Sequence, residues 1–172
     1  MISIVEYNPD WPDLFDREKR FIGSLMNDFV YGTIEHVGST SVKGLAAKPV
    51  IDIMVGVESL DASKKAIQIM ENNGYCYHPY KGDVMHWFCK PSPEVRTHHV
   101  HLIPFESKLW FERLAFRDYL RSHPMVAQDY ARLKRKLAIE YDGDREKYTQ
   151  EKTSFICDVL KLSDASNKEH KS

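Results

Sequence analysis

Residues 34–55 read IEHVGSTSVKGLAAKPVIDIMV, and the fold turns on how this stretch divides. Residues 31–37 have strand character. Residues 38–48 are small and polar with two glycines, which marks a loop or a short helix. Residues 50–57 form a continuous, largely β-branched run, the pattern of a central strand. One acid, Asp52, stands inside that run between Ile51 and Ile53. Carboxylates are rarely buried unless paired or bound to a metal, so Asp52 needs a reason. Gly38 offers half of one, because a residue without Cβ lets the backbone approach a ligand closely. The N–H groups that follow, with the Ser39 and Thr40 hydroxyls, can then hold phosphate oxygens. A carboxylate on the next strand can hold a divalent ion on the same phosphate. The plain alternative is a strand–turn–strand unit in which Asp52 bonds to backbone.

Outward from this stretch, residues 2–6 alternate weakly and are expected to form an edge strand. Asn8 and Pro9 are expected to open a helix with Trp11, Leu14, Phe15, Phe21, Ile22, Leu25 and Met26 on its apolar face. Residues 61–73 predict a second helix, closed by Gly74. Residues 75–78 and 84–89, parted by Lys81-Gly82-Asp83, carry a hairpin signal. Residues 95–103 predict another strand, ended by Pro104. Helical spacing follows over 107–121, 125–141 and 145–162, and the polar tail 163–172 reads as disordered. Strands therefore fill the first two thirds and helices the last. The prediction is a single α/β (α+β) domain over 1–162, with a sheet core over about 1–104 and a helical cap over about 105–162.

The chain has 172 residues, which fits one domain, and a formal net charge of -1. That balance gives no global nucleic-acid footprint. No apolar run approaches the roughly 20 residues of a membrane span. The N-terminus lacks a basic start followed by an apolar block, so it does not read as a signal peptide. Three cysteines, widely spaced and without CxxC, suit reduced thiols in a cytoplasmic protein.

Residues 96–102 read RTHHVHL. Side chains alternate along a strand, so His99 and His101 share one face and His98 takes the other. Glu35 and His36 likewise oppose each other. Lys43 reads as a solvated loop residue, whereas Lys48 stands directly before the strand and can meet a phosphate as a point charge. In the helical third, Arg117, Lys134 and Lys152 are candidates to reach over the sheet edge, with Lys134 close to the apolar Leu133 and Leu137. Tyr75, Tyr77, Trp87 and Phe88 fall on the hairpin and suit either core packing or base stacking.

Gly38-Ser39, the loop with Gly44, and Asp52 between hydrophobic residues resemble the motif of the DNA polymerase beta-like nucleotidyltransferase superfamily. The longer pattern resembles the GrpB family: YNPDWPDLF at 7–15, IEHVGSTSVKGLAAKPVIDIMVGV, RTHHVHL and YARLKRKLA, over about residues 3–160. The resemblance implies a nucleotidyltransferase-like mixed β-sheet flanked by helices, with a C-terminal helical region. It implies a Gly-Ser turn that ends one strand and opens a short helix, acids on the next strand holding two metal ions, and a third acid on a later strand. One departure matters: the second strand acid is replaced by Met54. Two ions about 3.5–4 Å apart need several anionic ligands. The histidine strand is the natural place for substitutes, and Asp52 with His99 and His101 would suit Zn²⁺, Mn²⁺ or Fe²⁺ better than Mg²⁺. His99-x-His101 also resembles the start of the histidine-triad hydrolase motif, but its third histidine would fall on Ile103.

The expected function is metal-dependent transfer of a nucleotidyl group from a nucleoside triphosphate to a small acceptor. Asp52, His99 and His101 would be catalytic residues and ligands to Mg²⁺, Mn²⁺ or Zn²⁺. Gly38, Ser39, Thr40, Lys48 and Lys134 would hold the nucleotide or phosphate. The alternatives are a nucleotide- or phosphometabolite-binding protein without turnover, and a metal-dependent phosphoester hydrolase on the same fold.

Overall fold

The run over residues 51–57 lies inside the sheet because both of its faces are apolar. In the structure, a computed structural model that describes residues 1–169, it forms β2 (Ile51–Val57). It pairs antiparallel with β1 (Val30–Val37) and parallel with β5 (Arg96–Pro104). Beyond β5 lies the predicted hairpin, β4 (His86–Pro91) and then β3 (Cys76–His78), each antiparallel to its neighbour. The sheet order is β1-β2-β5-β4-β3, a mixed five-stranded sheet.

Period two divides the strand side chains between two layers. Ile34, Ile51, Ile53, Val55, Phe88, Val100 and Leu102 face α1 (Trp11–Leu25) and α2 (Lys64–Asn72), which contribute Trp11, Ile22, Ala66 and Met70. Val37, Met54, Trp87, Cys89 and Ile103 face the other way and meet Trp110 of α3 (Lys108–Ser122). The candidate site opens on this second face. The cap continues with α4 (Pro124–Glu140), α5 (Arg145–Glu151) and α6 (Thr153–Glu169). No helix among the described residues is long and apolar enough to cross a membrane.

Four local expectations need correction. Residues 2–6 make only a bridge between Val5 and Ala47, because no second strand runs beside them. Helix α1 starts at Trp11 with Asp10 at its N-cap and Pro12 in its first turn, while the Asn8 side chain accepts from Asp10 N at 2.9 Å instead of capping the helix. The segment 145–162 breaks at Lys152 into α5 and α6, with Asp144 capping α5 by accepting from Lys147 N. Helix α6 runs past residue 162 to Glu169, with Val159 and Ser163 buried, so the tail read as disordered is helical over 163–169. Residues 170–172 of that tail lie outside the described residues. Gly74 closes α2 as expected, with φ 93°.

Gly56 fixes how closely β1 can lie on β2. The register of β1 shifts between Val30 and Ile34, and a Cβ on Gly56 would stand 2.2 Å from the Tyr31 carbonyl oxygen. That oxygen is backbone and cannot turn aside. Gly56→Ala is expected to cost about 1–3 kcal/mol and lower the thermal midpoint by several degrees. Gly82→Ala, with nothing within 4 Å of the new Cβ, is the matched control that should leave it unchanged.

Candidate functional site

Asp52 is held between two strands. In β1 its partner is Val37, and in parallel β5 its partner is His99. Gly38 follows Val37 at φ 72°, a backbone region that favours glycine, and leads into a 3₁₀ turn at Ser39–Ser41. A Cβ on Gly38 would fall 2.4 Å from Asp52 Oδ2, so glycine is required there by conformation and by space. Asp52 Oδ1 accepts from His99 Nδ1 at 3.1 Å and from His101 Nε2 at 3.4 Å.

The three residues bring one ligand atom each to within 4.8 Å of one another. The remaining ring nitrogens, His99 Nε2 and His101 Nδ1, are buried and have no hydrogen-bond partner. Burial pushes the Asp52 carboxyl up, but the bonds from His101 and His99 overcome it and hold it well below the usual carboxylate range. Burial lowers His101 to about 4, against the pull of Asp52, so its ring is neutral at neutral pH. An ionised carboxylate beside imidazole nitrogens is a fitting donor set for a transition-metal dication. Met54 is fully buried against Val37 and Trp110 and offers no second anionic ligand, so the set suits one ion.

The residues expected to hold a phosphate do not all point the same way. Ser39 is partly exposed and lies near the Tyr130 phenol, on which it acts. Thr40 is turned inward: its hydroxyl accepts from His36 Nε2 at 2.9 Å and donates to the Val50 carbonyl at 3.2 Å. It braces the loop and presents no hydroxyl to the cleft. Lys48 lies half-buried with its Nζ 4.8 Å from the centre of the Tyr148 ring. Lys134 is 2% exposed; its Nζ donates to the Ala46 carbonyl at 2.5 Å and lies 4.8 Å from the Tyr130 ring centre.

The GrpB protein family matches residues 1–162 of the chain. The chain belongs to the GrpB family. It is 36% identical to the glutamate-rich protein GrpB of Alkalihalophilus pseudofirmus over 165 residues, covering 92% of this chain and 94% of that one. It is 35% identical to the UPF0157 protein YqkA of Bacillus subtilis over 155 residues, covering 90% of this chain but 45% of that longer protein. The crystal structure of the conserved protein GrpB from Enterococcus faecalis superposes with a TM-score of 0.84 at 34% identity, over 94% of this chain and 96% of that one.

Other candidates in this GrpB-family chain turn out to be braces. Arg117 donates to Glu35 at 2.8 Å and to the His36 carbonyl at 3.2 Å, which ties α3 to the end of β1 and keeps the guanidinium off the cleft. His98 lies on the α1 face, 3.8 Å from Glu18. Tyr75 and Phe88 belong to the core on that face, and the Tyr75 hydroxyl donates to Glu18. Trp87 packs on the His99 ring at 5.0 Å, which fixes that imidazole rather than a base. Lys43 is exposed. Lys152 does reach the site, 4.5 Å from the Tyr148 ring centre. Tyr130 meets Lys134, and Tyr148 meets Lys48 and Lys152, which the sequence does not signal, because at helical spacing an aromatic gives no sign of which neighbour it meets.

His36 makes the fold sensitive to acid. Its ring stacks on Phe15 at 4.8 Å and is 7% exposed, and burial lowers its pKa from 6.5 to about 4. The unfolded chain then takes up a proton below pH 6.5 that the native state refuses until about pH 4, so this contribution to stability is lost as pH falls through that window. This group should add nothing to the pH dependence of the urea midpoint above pH 7 and a loss of about 2 kcal/mol by pH 4.5. His36→Gln, which keeps a donor for Thr40, should remove this group's share of the fall below pH 6.5 and leave the share of His101, which is lowered to about 4 as well.

Proposed function

We propose that this GrpB-family chain binds a nucleoside triphosphate with one divalent metal ion in the Asp52 cleft and transfers its nucleotidyl group to a small acceptor. The observation that carries the reading is the meeting of Gly38, Asp52, His99 and His101 at one end of β1, β2 and β5. The Gly-Ser turn beside an acid on the next strand supports a nucleotidyltransferase-like frame, as the motif in the sequence implies.

Asp52, His99 and His101 would hold the ion, which would neutralise charge on the phosphates during in-line displacement. Asp52 stays ionised across the working range because its histidine bonds favour the anion. His101 is better matched to ligation than to proton transfer, since a base held at about 4 is weak at neutral pH. Gly38 lets a phosphate approach the backbone, and Ser39 offers it a hydroxyl. Lys48 and Lys134 approach from the loop and from α4. The free cysteines Cys76, Cys89 and Cys157 suit the cytoplasm, where nucleoside triphosphates are abundant.

The buried Met54, standing where a second acid would complete a two-ion site, favours a second reading: binding without turnover. Calorimetric titration of ATP, GTP, CTP and UTP into metal-free protein, with Mg²⁺, Mn²⁺ or Zn²⁺ added in turn, tests the proposal. Metal-dependent nucleotide binding that is lost in Asp52→Ala and His101→Ala is the expected result. Nucleotide binding without pyrophosphate release in any acceptor pool would favour the second reading. No nucleotide binding with any metal would overturn both.

A further inference from the structure

Beside the Asp52 cleft, three ammonium groups converge with no carboxylate to neutralise them. Lys48 and Lys152 both lie over the Tyr148 ring, at 4.8 and 4.5 Å from its centre. Lys134 lies over Tyr130, whose phenol reaches Ser39. None of the three forms an ion pair among the described residues; the acid that acts on all of them is Asp52, already engaged by two histidines. Tyr148 is fully buried, and its hydroxyl has no hydrogen-bond partner. A buried donor without an acceptor is costly, and so are like charges drawn out of water together. One kind of occupant relieves both: a multiply charged anion rich in acceptor oxygens.

We propose that Lys48, Lys134, Lys152 and the Tyr148 hydroxyl form a subsite for an oligophosphate, the pyrophosphate or triphosphate portion of a ligand, and bind it without metal. The inference deepens the nucleotide reading above and rests on it only for what is attached to the phosphates. A single orthophosphate is a poor match, because the cations are spread over two aromatic rings rather than gathered about one point. Lys134 and Lys152 are both lowered to about 7, by burial first and then by neighbouring lysines. The charges acting on them are Lys48 of the loop, Asp52 of β2, Arg113 of α3 and Arg135 of α4. A bound anion favours the protonated amines, so binding near pH 7.5 takes protons from the buffer.

The test is calorimetric titration of tripolyphosphate, pyrophosphate and orthophosphate into the full chain with EDTA at pH 7.5, in two phosphate-free buffers of different ionisation enthalpy. Tripolyphosphate is expected to bind at least about tenfold more tightly than orthophosphate, with buffer-dependent heats that report proton uptake. Lys152→Gln should weaken it about tenfold. Tyr148→Phe should weaken it severalfold without unfolding the protein, because the hydroxyl removed bonds to nothing in the free chain. Lys43→Gln, on the exposed part of the loop, should change nothing. Tripolyphosphate that binds no better than orthophosphate, or that ignores both Lys152→Gln and Tyr148→Phe, overturns the subsite. The two readings fail separately. Tripolyphosphate binding without any metal–nucleotide binding keeps the subsite and loses the nucleotide reading. Metal–nucleotide binding in a chain whose tripolyphosphate affinity ignores the lysines does the reverse.

Discussion

Asp52→Asn is expected to lower divalent-metal affinity by at least about a hundredfold while leaving the protein folded. Loss of a hydrogen-bonding partner to a metal ligand commonly costs about 10–100-fold, and this substitution removes the anionic ligand itself. The fold should tolerate it. Asparagine keeps an oxygen for His99 Nδ1 and His101 Nε2, which now bond Asp52 at 3.1 and 3.4 Å. It removes the cost of desolvating a charge but also the charge-assisted part of the histidine bonds that outweighs that cost, so the variant should unfold at a lower temperature than the parent while remaining folded at 25 °C. Calorimetric metal titration and thermal unfolding by circular dichroism on the same samples check both halves. A folded variant that binds metal as the parent does would remove Asp52 from the ligand set.

Gly38→Ala is expected to damage both fold and site. The left-handed conformation at φ 72° costs an L-residue about 1–2 kcal/mol. The new Cβ would also stand 2.4 Å from Asp52 Oδ2 and 3.1 Å from Asp52 Cγ. The carboxylate cannot swing away freely, because two histidines hold it from β5. A total loss of about 2–4 kcal/mol follows from the conformational and steric costs together. Gly44→Ala separates the two causes. Gly44 has φ 83° but nothing within 4 Å of a new Cβ, so its alanine bears the conformational cost alone. Gly38→Ala should therefore unfold at lower urea than Gly44→Ala and lose metal affinity that Gly44→Ala retains.

The parts legible in the sequence are those that follow period two or a forced backbone. The apolar run around Asp52 predicted an interior strand, and it is β2. Alternation in RTHHVHL put His99 and His101 on one face and His98 on the other, as their different partners confirm. The Gly-Ser turn was legible because only glycine suits its conformation and the close approach to Asp52. What brings Asp52 beside His99 is the parallel pairing of β2 and β5, a long-range choice that no local pattern encodes; it came from the family resemblance.

Other features depend on side-chain direction. Nothing in Ser39-Thr40 says that Ser39 faces Tyr130 while Thr40 turns in to His36 and Val50. Arg117 and Lys152 read alike as cations on amphipathic helices. Arg117 is claimed by Glu35, whereas Lys152 reaches Tyr148 from the break between α5 and α6. That break was not predicted, because the apolar spacing runs through it.

The most direct test of the central claim is pulsed electron paramagnetic resonance of Mn²⁺ added to the metal-free chain. One bound Mn²⁺ per chain, with modulation from two histidine nitrogens that falls to one in His101→Ala and vanishes with the bound ion in Asp52→Asn, is the predicted result. Mn²⁺ that stays fully hydrated, or binds with no nitrogen modulation, would contradict the assignment of Asp52, His99 and His101 as a metal site.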